Sequence, residues 1–266
     1  MGESIVITWG KGGVGKTTTT ANIGVALALN GKKVVLVDTD FGLRNLDVVL
    51  GLENRVIYDL SDVCEGKCKI QQSMIKDKRF EELYLIPASQ QKDKSAVTPE
   101  QMKEVILQLK QDFDYVLIDC PAGIEQGFQN AVAGADCAIV IVSPDPSSVK
   151  DADRVIGILE KLEYIQPPKL LINRVRPHMM RARDSLDIED IMRLLSIELL
   201  GIVIDDDDVL KAAKEKEPIV MNPKSRASIA YRNIARRLLG ESVPLMSLSE
   251  SDGFVTKVKK FFGMKK

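Results

Sequence analysis

Eight residues, Gly10-Lys11-Gly12-Gly13-Val14-Gly15-Lys16-Thr17, constrain this chain more than any other stretch. Their spacing is G-x-x-x-x-G-K-T. An apolar run, Ser4-Ile5-Val6-Ile7-Thr8-Trp9, reads as a buried strand before them, and residues 18–29 read as a helix after them. A strand, a glycine-rich loop and a helix in that order make a phosphate cradle. The glycines let successive backbone N–H groups turn toward phosphate oxygens, and the helix N-terminus adds its positive dipole end. In such a loop Lys16 faces the β- and γ-phosphates, and the Thr17 hydroxyl suits a Mg2+ ion. Gly12, Gly13, Val14, Gly15 and Thr18 complete the cradle. A second lysine, Lys11, sits inside the loop, where the spacing asks for no charge.

Apolar, β-branched runs recur at 33–38, 83–87, 115–119, 137–142, 169–173 and 200–204. They are near-continuous rather than alternating, so both faces of each strand should be buried. Helix-like segments fall at 18–29, 99–110, 149–162, 187–196 and 227–239. Strands alternating with helices predict an α/β domain over 1–240: a doubly wound, mostly parallel sheet flanked by helices. A composition of 45% hydrophobic and 28% charged residues over 266 positions suits that class. No apolar run is long enough to span a membrane. The N-terminus has no signal or transit pattern, and its strand starts within a few residues of Met1. Cys64 and Cys68 have a spacing that metal ligands use, but no second Cys pair or His cluster completes a site. The four cysteines are expected as reduced thiols.

In such a sheet, strand ends deliver side chains to the crevice beside the phosphate loop. Two ends carry acids: Val34-Val35-Leu36-Val37-Asp38-Thr39-Asp40 and Tyr115-Val116-Leu117-Ile118-Asp119. Asp38 and Asp119 are candidates for holding Mg2+ with Thr17, and Asp40 for orienting the attacking water. The N-K-x-D element of guanine readers is replaced by Asn173-Arg174-Val175-Arg176, which favours ATP. No histidine is near, and no glutamate follows Asp119 as a ready base. Hydrolysis would rest on positioned water, Mg2+ and lysine charge, with slow turnover expected.

The last residues form a separate unit. Residues 241–252 read as a tether. In 253–266, Phe254, Val255, Val258, Phe261 and Phe262 fall on one helical face, with Lys257, Lys259 and Lys260 around it. That is the composition of a helix lying in a membrane interface. Five lysines after position 253 leave the rest of the chain at −6, against −1 overall. Burying five such side chains yields roughly 8–15 kcal/mol gross, and ordering about ten residues costs roughly 10–20 kcal/mol. One tail is therefore marginal. Two on one particle gain an avidity of about 10²–10⁴, so dimerisation can switch membrane attachment.

With KGGVGKTTTTAN at 11–22, VDTDFGLRNLDVVLGLENR at 37–55, IDCPAGIEQGF at 118–128, PDPSSVKDADRVIGILE at 144–160 and INRVR at 172–176, the chain resembles the MinD branch of the deviant Walker A (MinD/ParA) ATPases. LGLENR and INRVR are worded as in cyanobacterial and plastid members. The resemblance implies a P-loop NTPase of SIMIBI type that hydrolyses ATP with Mg2+ as an ATP-bound homodimer. It implies that Lys11 reaches the partner subunit's phosphates and that Lys16 and Thr17 serve phosphate and Mg2+. Asn173 would contact adenine. Arg44 and Asn45 would belong to the first switch region with Asp38 and Asp40, and Pro121, Ala122 and Gly123 to the second. Asp151 and Asp153 would lie in a helix of dimer and partner contacts. The implied partners are a MinE-type activator, a MinC-type inhibitor and an anionic lipid membrane. The implied place is the inner face of the cell or plastid inner membrane, reached reversibly from cytoplasm or stroma. Two departures stand out: Trp9 replaces a small residue, and Ile204-Asp205-Asp206-Asp207-Asp208, which reads as a solvated acidic turn, lacks a proline. A DNA-partition ATPase is the alternative, but its basic domain surface is not evident, so no nucleic-acid partner is expected.

Overall fold

The computed structural model describes residues 1–9, 13–163, 165–182 and 184–246. Lys11, Gly12 and the whole of 253–266, including Phe254, Val255, Lys257, Val258, Lys260, Phe261 and Phe262, lie outside the described residues, as does the second half of the tether, 247–252.

Chain order begins with β1 (Glu3–Thr8), α1 (Lys16–Leu29) and β2 (Val34–Asp38). Three short helices follow: α2 (Leu46–Val49), α3 (Leu60–Cys64) and α4 (Ile70–Ser73). Then come β3 (Ile75–Lys76), β4 (Leu83–Ile86), α5 (Pro99–Asp112), β5 (Tyr115–Asp119), α6 (Gln126–Val132) and β6 (Cys137–Val142). The last part holds α7 (Pro146–Leu159), β7 (Lys169–Val175), α8 (Pro177–Ala182), α9 (Ile188–Leu195), β8 (Glu198–Ile204), α10 (Asp207–Glu215) and α11 (Arg226–Leu238).

The eight strands form one sheet in the order β3-β4-β2-β5-β1-β6-β7-β8. All pairings are parallel except β3 with β4. Every residue of β2, β5 and β6 is buried. Their unbroken Val/Ile/Leu character is what a sheet covered by helices on both faces requires. β1 sits between β5 and β6, so the loop leaving it opens at the middle of the sheet's carboxyl edge.

The sheet bears out the doubly wound expectation and adds elements that the sequence hid. β3 has two residues, too few for a pattern. α10 starts where an acidic turn was expected. Asp206 accepts from the Asp208 amide, and Asp207 and Asp208 fill the first turn, where acidic side chains complement the helix dipole. Asp206 also accepts from the Ser225 hydroxyl (2.7 Å) and the Ala227 amide (3.2 Å), tying the starts of α10 and α11 together.

α1 lies close on β2 because Gly24 has no side chain: a Cβ there would stand 2.4 Å from the Leu36 side chain. α11 packs against both α1 and β8. Arg237, near its end, donates to the carbonyls of Leu200, Val243 and Pro244, and Leu245 and Met246 pack partly buried on the core. The chain thus stays on the domain for six residues past Gly240.

Candidate nucleotide site

The loop between β1 and α1 reaches the helix through a left-handed residue. Gly15 has φ 89 and ψ 30 as the N-cap of α1 and lends no side chain to the cap. A Cβ at Gly15 would meet Asn173 Nδ2 at 2.7 Å. Conformation and space therefore both demand glycine here. Val14 is buried and its carbonyl accepts from Asn173 Nδ2 at 2.7 Å, while Gly13 is exposed. Asn173 reaches the loop because β7 is irregular. Its register on β8 shifts between Ile172 and Val175, with Arg174 at φ 55.

Four side chains converge at the first turn of α1. Lys16 Nζ lies 2.7 Å from Asp119 Oδ1. Thr17 donates its hydroxyl to Asp119 Oδ2 (2.8 Å), and Thr20 donates to Asp119 Oδ1 (2.9 Å). Lys16 Nζ also stands 3.3 Å from the Thr17 hydroxyl and 4.5 Å from the centre of the Trp9 ring. Lys16 is 6% exposed and Asp119 fully buried, so water does little to screen the pair.

Asp38 is the direct register partner of Asp119 on β2. It accepts the amides of Asp40 (2.9 Å) and Leu46 (3.1 Å), which pins both ends of the following loop to one carboxylate. Burial, and next the charge of Asp119, push the Asp38 carboxyl up to about 7, against the pull of those amides and of Lys16. Two carboxylates on adjacent strand ends, with one ammonium paired to Asp119, make an oxygen-rich donor set. That chemistry suits a divalent cation bound by oxygen.

Asp40 is 8% exposed and opens the loop after β2. Within that loop Arg44 adopts φ 46 and pairs with buried Asp47 at 2.8 Å, and exposed Asn45 precedes α2. Pro121, Ala122 and Gly123 follow Asp119 and Cys120 toward α6, with Gly123 at φ 93. Burial raises the Cys120 thiol to about 12, so it is an inert core group. Asp151, half-buried, and Asp153, exposed, lie on α7, which leaves from β6 rather than from the loop.

Beside the loop is a cleft of about 220 Å³ lined by Gly15, Thr18, Asn173, Ile204, Leu210 and Tyr231. Tyr231 comes from α11, its hydroxyl 3.2 Å from that of Thr19. Arg176 and Asp205 form an ion pair at the cleft's rim, shared with a wider opening of about 720 Å³ along Asp206–Asp208.

The structure therefore brings together Gly13, Val14, Gly15, Lys16, Thr17, Thr18, Asp38, Asp40, Asp119 and Asn173. It also supplies groups the sequence reading missed. Thr20 lies one helical turn beyond Lys16, a spacing that could have flagged it. Tyr231 and the contact of the Trp9 face with Lys16 follow from tertiary packing and carry no local signal.

A family model described as an AAA domain matches residues 2–172. The chain is 64% identical over its full length, and the full length of the other, to the septum site-determining protein MinD of Bacillus subtilis. The chain belongs to the MinD family of septum-site-determining ATPases. A solved MinC:MinD cell division protein complex of Aquifex aeolicus superposes with a TM-score of 0.86 at 46% identity, covering 92% of this chain and 98% of that one. The MinD of Pyrococcus horikoshii complexed with Mg-ADP superposes with a TM-score of 0.81 at 30% identity, covering 91% of this chain and 100% of that one. Membership makes this chain a nucleotide-binding, Mg2+-using ATPase of division-site selection.

Proposed function

We propose that this MinD-family chain is a membrane-cycling ATPase that keeps division away from wrong sites, with ATP driving dimerisation and the dimer driving membrane attachment. The convergence of Lys16, Thr17 and Thr20 on Asp119, with Asp38 alongside, carries the reading. Lys16 holds the β- and γ-phosphates, the loop amides from Gly12 to Thr18 cradle them, and Asn173 borders the adenine. Thr17, Asp38 and Asp119 would hold Mg2+, which would supply positive charge against that gathering on the transferred phosphoryl group. Lys16 and Thr17, which here contact Asp119, are the side chains that would turn to the phosphate and the metal. Asp40, on the loop pinned to Asp38, orients water.

That loop explains how the site reports its state. Asp38 holds the Asp40 and Leu46 amides, so any change at Asp38 moves Arg44 and Asn45 with it. Pro121, Ala122 and Gly123 answer in the same way to Asp119. Lys11 completes the partner subunit's site. A MinC-type inhibitor is a partner, in line with the MinC:MinD complex of the Aquifex relative, and α7, with Asp151 and Asp153, is the surface we assign to it and to a MinE-type activator. Phe254, Val255, Val258, Phe261 and Phe262 enter an anionic leaflet while Lys257 and Lys260 meet its headgroups. The chain then alternates between cytoplasm or stroma and the inner membrane face.

Analytical ultracentrifugation of wild-type and Lys11→Ala protein tests the dimer. Wild type should sediment as a dimer with a non-hydrolysable ATP analogue and as a monomer with ADP. Lys11→Ala should hydrolyse no ATP, with or without activator. Full activity in Lys11→Ala would remove the cross-subunit role.

A further inference from the structure

We infer that Trp9 is a positioning residue for Lys16, its indole face setting where the ammonium stands in the loop. The inference rests on Lys16 being the phosphate-binding lysine. The Lys16 ammonium has Asp119 at 2.7 Å and Thr17 at 3.3 Å as polar partners. Among the described residues it also stands over the Trp9 ring, 4.5 Å from Nζ to the centroid, within the range of a cation–π pair. Trp9 is 4% exposed and Lys16 6%, so ring and ammonium meet away from bulk water.

The two kinds of partner differ in what happens on loading. Asp119 and Thr17 are the groups assigned to Mg2+, and so they must let Lys16 go. The ring competes for neither metal nor phosphate and can stay. It holds the ammonium at the loop floor in both states and keeps it poorly hydrated. A poorly hydrated cation interacts more strongly with an incoming anion.

The ring is badly suited to being plain core filling. Its Nε1 is buried with no hydrogen-bond partner among the described residues. An aliphatic side chain would fill the space without that orphaned donor. What the indole adds is its electron-rich face, and Lys16 is the cation against it.

Trp9 is the single tryptophan of the chain, so tryptophan emission comes from this place alone. The test has two arms on the full-length protein. In the first, emission of nucleotide-free wild type is compared with Lys16→Met, and Mg-ADP binding of both is measured by calorimetry. Removing the ammonium should shift the emission maximum and change its intensity, and Mg-ADP binding should be lost. In the second, the Kd for Mg-ADP of Trp9→Leu should rise about three- to tenfold, the range of a partly desolvated cation–π contact. Trp9→Phe, which keeps an aromatic face, should stay within about twofold of wild type.

Unchanged emission in a Lys16→Met protein that no longer binds Mg-ADP would overturn the role of Trp9 while leaving Lys16 in place. Retained Mg-ADP binding by Lys16→Met would overturn the phosphate role of Lys16 and this inference with it. Equal losses of affinity in Trp9→Leu and Trp9→Phe, tracking equal falls in melting temperature, would reduce Trp9 to packing. The emission arm leaves Trp9 intact and so decides even if Trp9→Leu does not fold.

Discussion

At the scale of single residues, Asp119 accepts three donors on two oxygens while fully buried, and its neighbour Asp38 accepts two amides under the same desolvation. Losing either charge acts on different things. Asp119→Asn leaves Lys16 buried without a counter-charge, which costs about 3–5 kcal/mol. Denaturant unfolding of the nucleotide-free protein should show that loss, and hydrolysis should become undetectable because Mg2+ loses an anchor. For Asp38 the sign runs the other way. Its carboxyl rises from 3.8 to about 7 on folding, so the folded state holds the proton that the unfolded state releases. The stability this supplies is full below pH 4 and lost as pH rises toward and through 7. In metal-free buffer, the unfolding free energy of Asp38→Asn relative to wild type should therefore improve from pH 5 to pH 8. A difference that stays flat would mean Asp38 is not protonated in the empty site. Both aspartates were legible in the sequence, because an acid closing an apolar strand is a local pattern. That they are register partners, with Lys16 paired to one of them, was not, since the order β2-β5-β1 is a property of the sheet.

At the scale of elements, the glycine loop is a strand end, a turn and a helix start fitted against the end of β7. Gly15 carries the fit. Gly15→Ala forces a side chain at φ 89 and a Cβ within 2.7 Å of Asn173 Nδ2. The left-handed backbone alone costs roughly 1–2 kcal/mol. The Kd for Mg-ADP should rise about tenfold or more, since each 1.4 kcal/mol is tenfold. Calorimetry on Gly15→Ala measures it directly, and an unchanged Kd would mean that Asn173 and the loop move apart freely. The loop, its strand and its helix were readable because glycine spacing and apolar runs are local. The start of α10 was not. No residue of α10 is fully buried, so it lacks a strong apolar stripe, and four aspartates in a row hide a cap, Asp206, among its neighbours. Its reason for being a helix lies partly in Ser225 and Ala227, nineteen and twenty-one residues further on.

At the scale of the molecule, the proposed switch has to turn a small change near Asp38 and Asp119 into movement from solution to membrane. The sheet supplies rigidity: the loops after β2, β5 and β1 leave neighbouring strands at one edge, so the proposed phosphate and metal ligands share one crevice. In the proposed cycle the output is carried by the last residues. Arg237 ties Val243 and Pro244 to α11 and to Leu200 of β8, so the chain stays packed near β8 as far as residue 246. On the proposed reading each copy of the tail is marginal alone, and pairing two would make attachment depend on the dimer and thus on ATP. Co-sedimentation with anionic vesicles tests this most directly, using the intact chain and a chain ending at residue 252. The intact chain should pellet with ATP and stay in solution with ADP, and the shortened chain should stay in solution with either. Equal pelleting of the intact chain with ATP and ADP, or pelleting of the shortened chain with ATP, would contradict it.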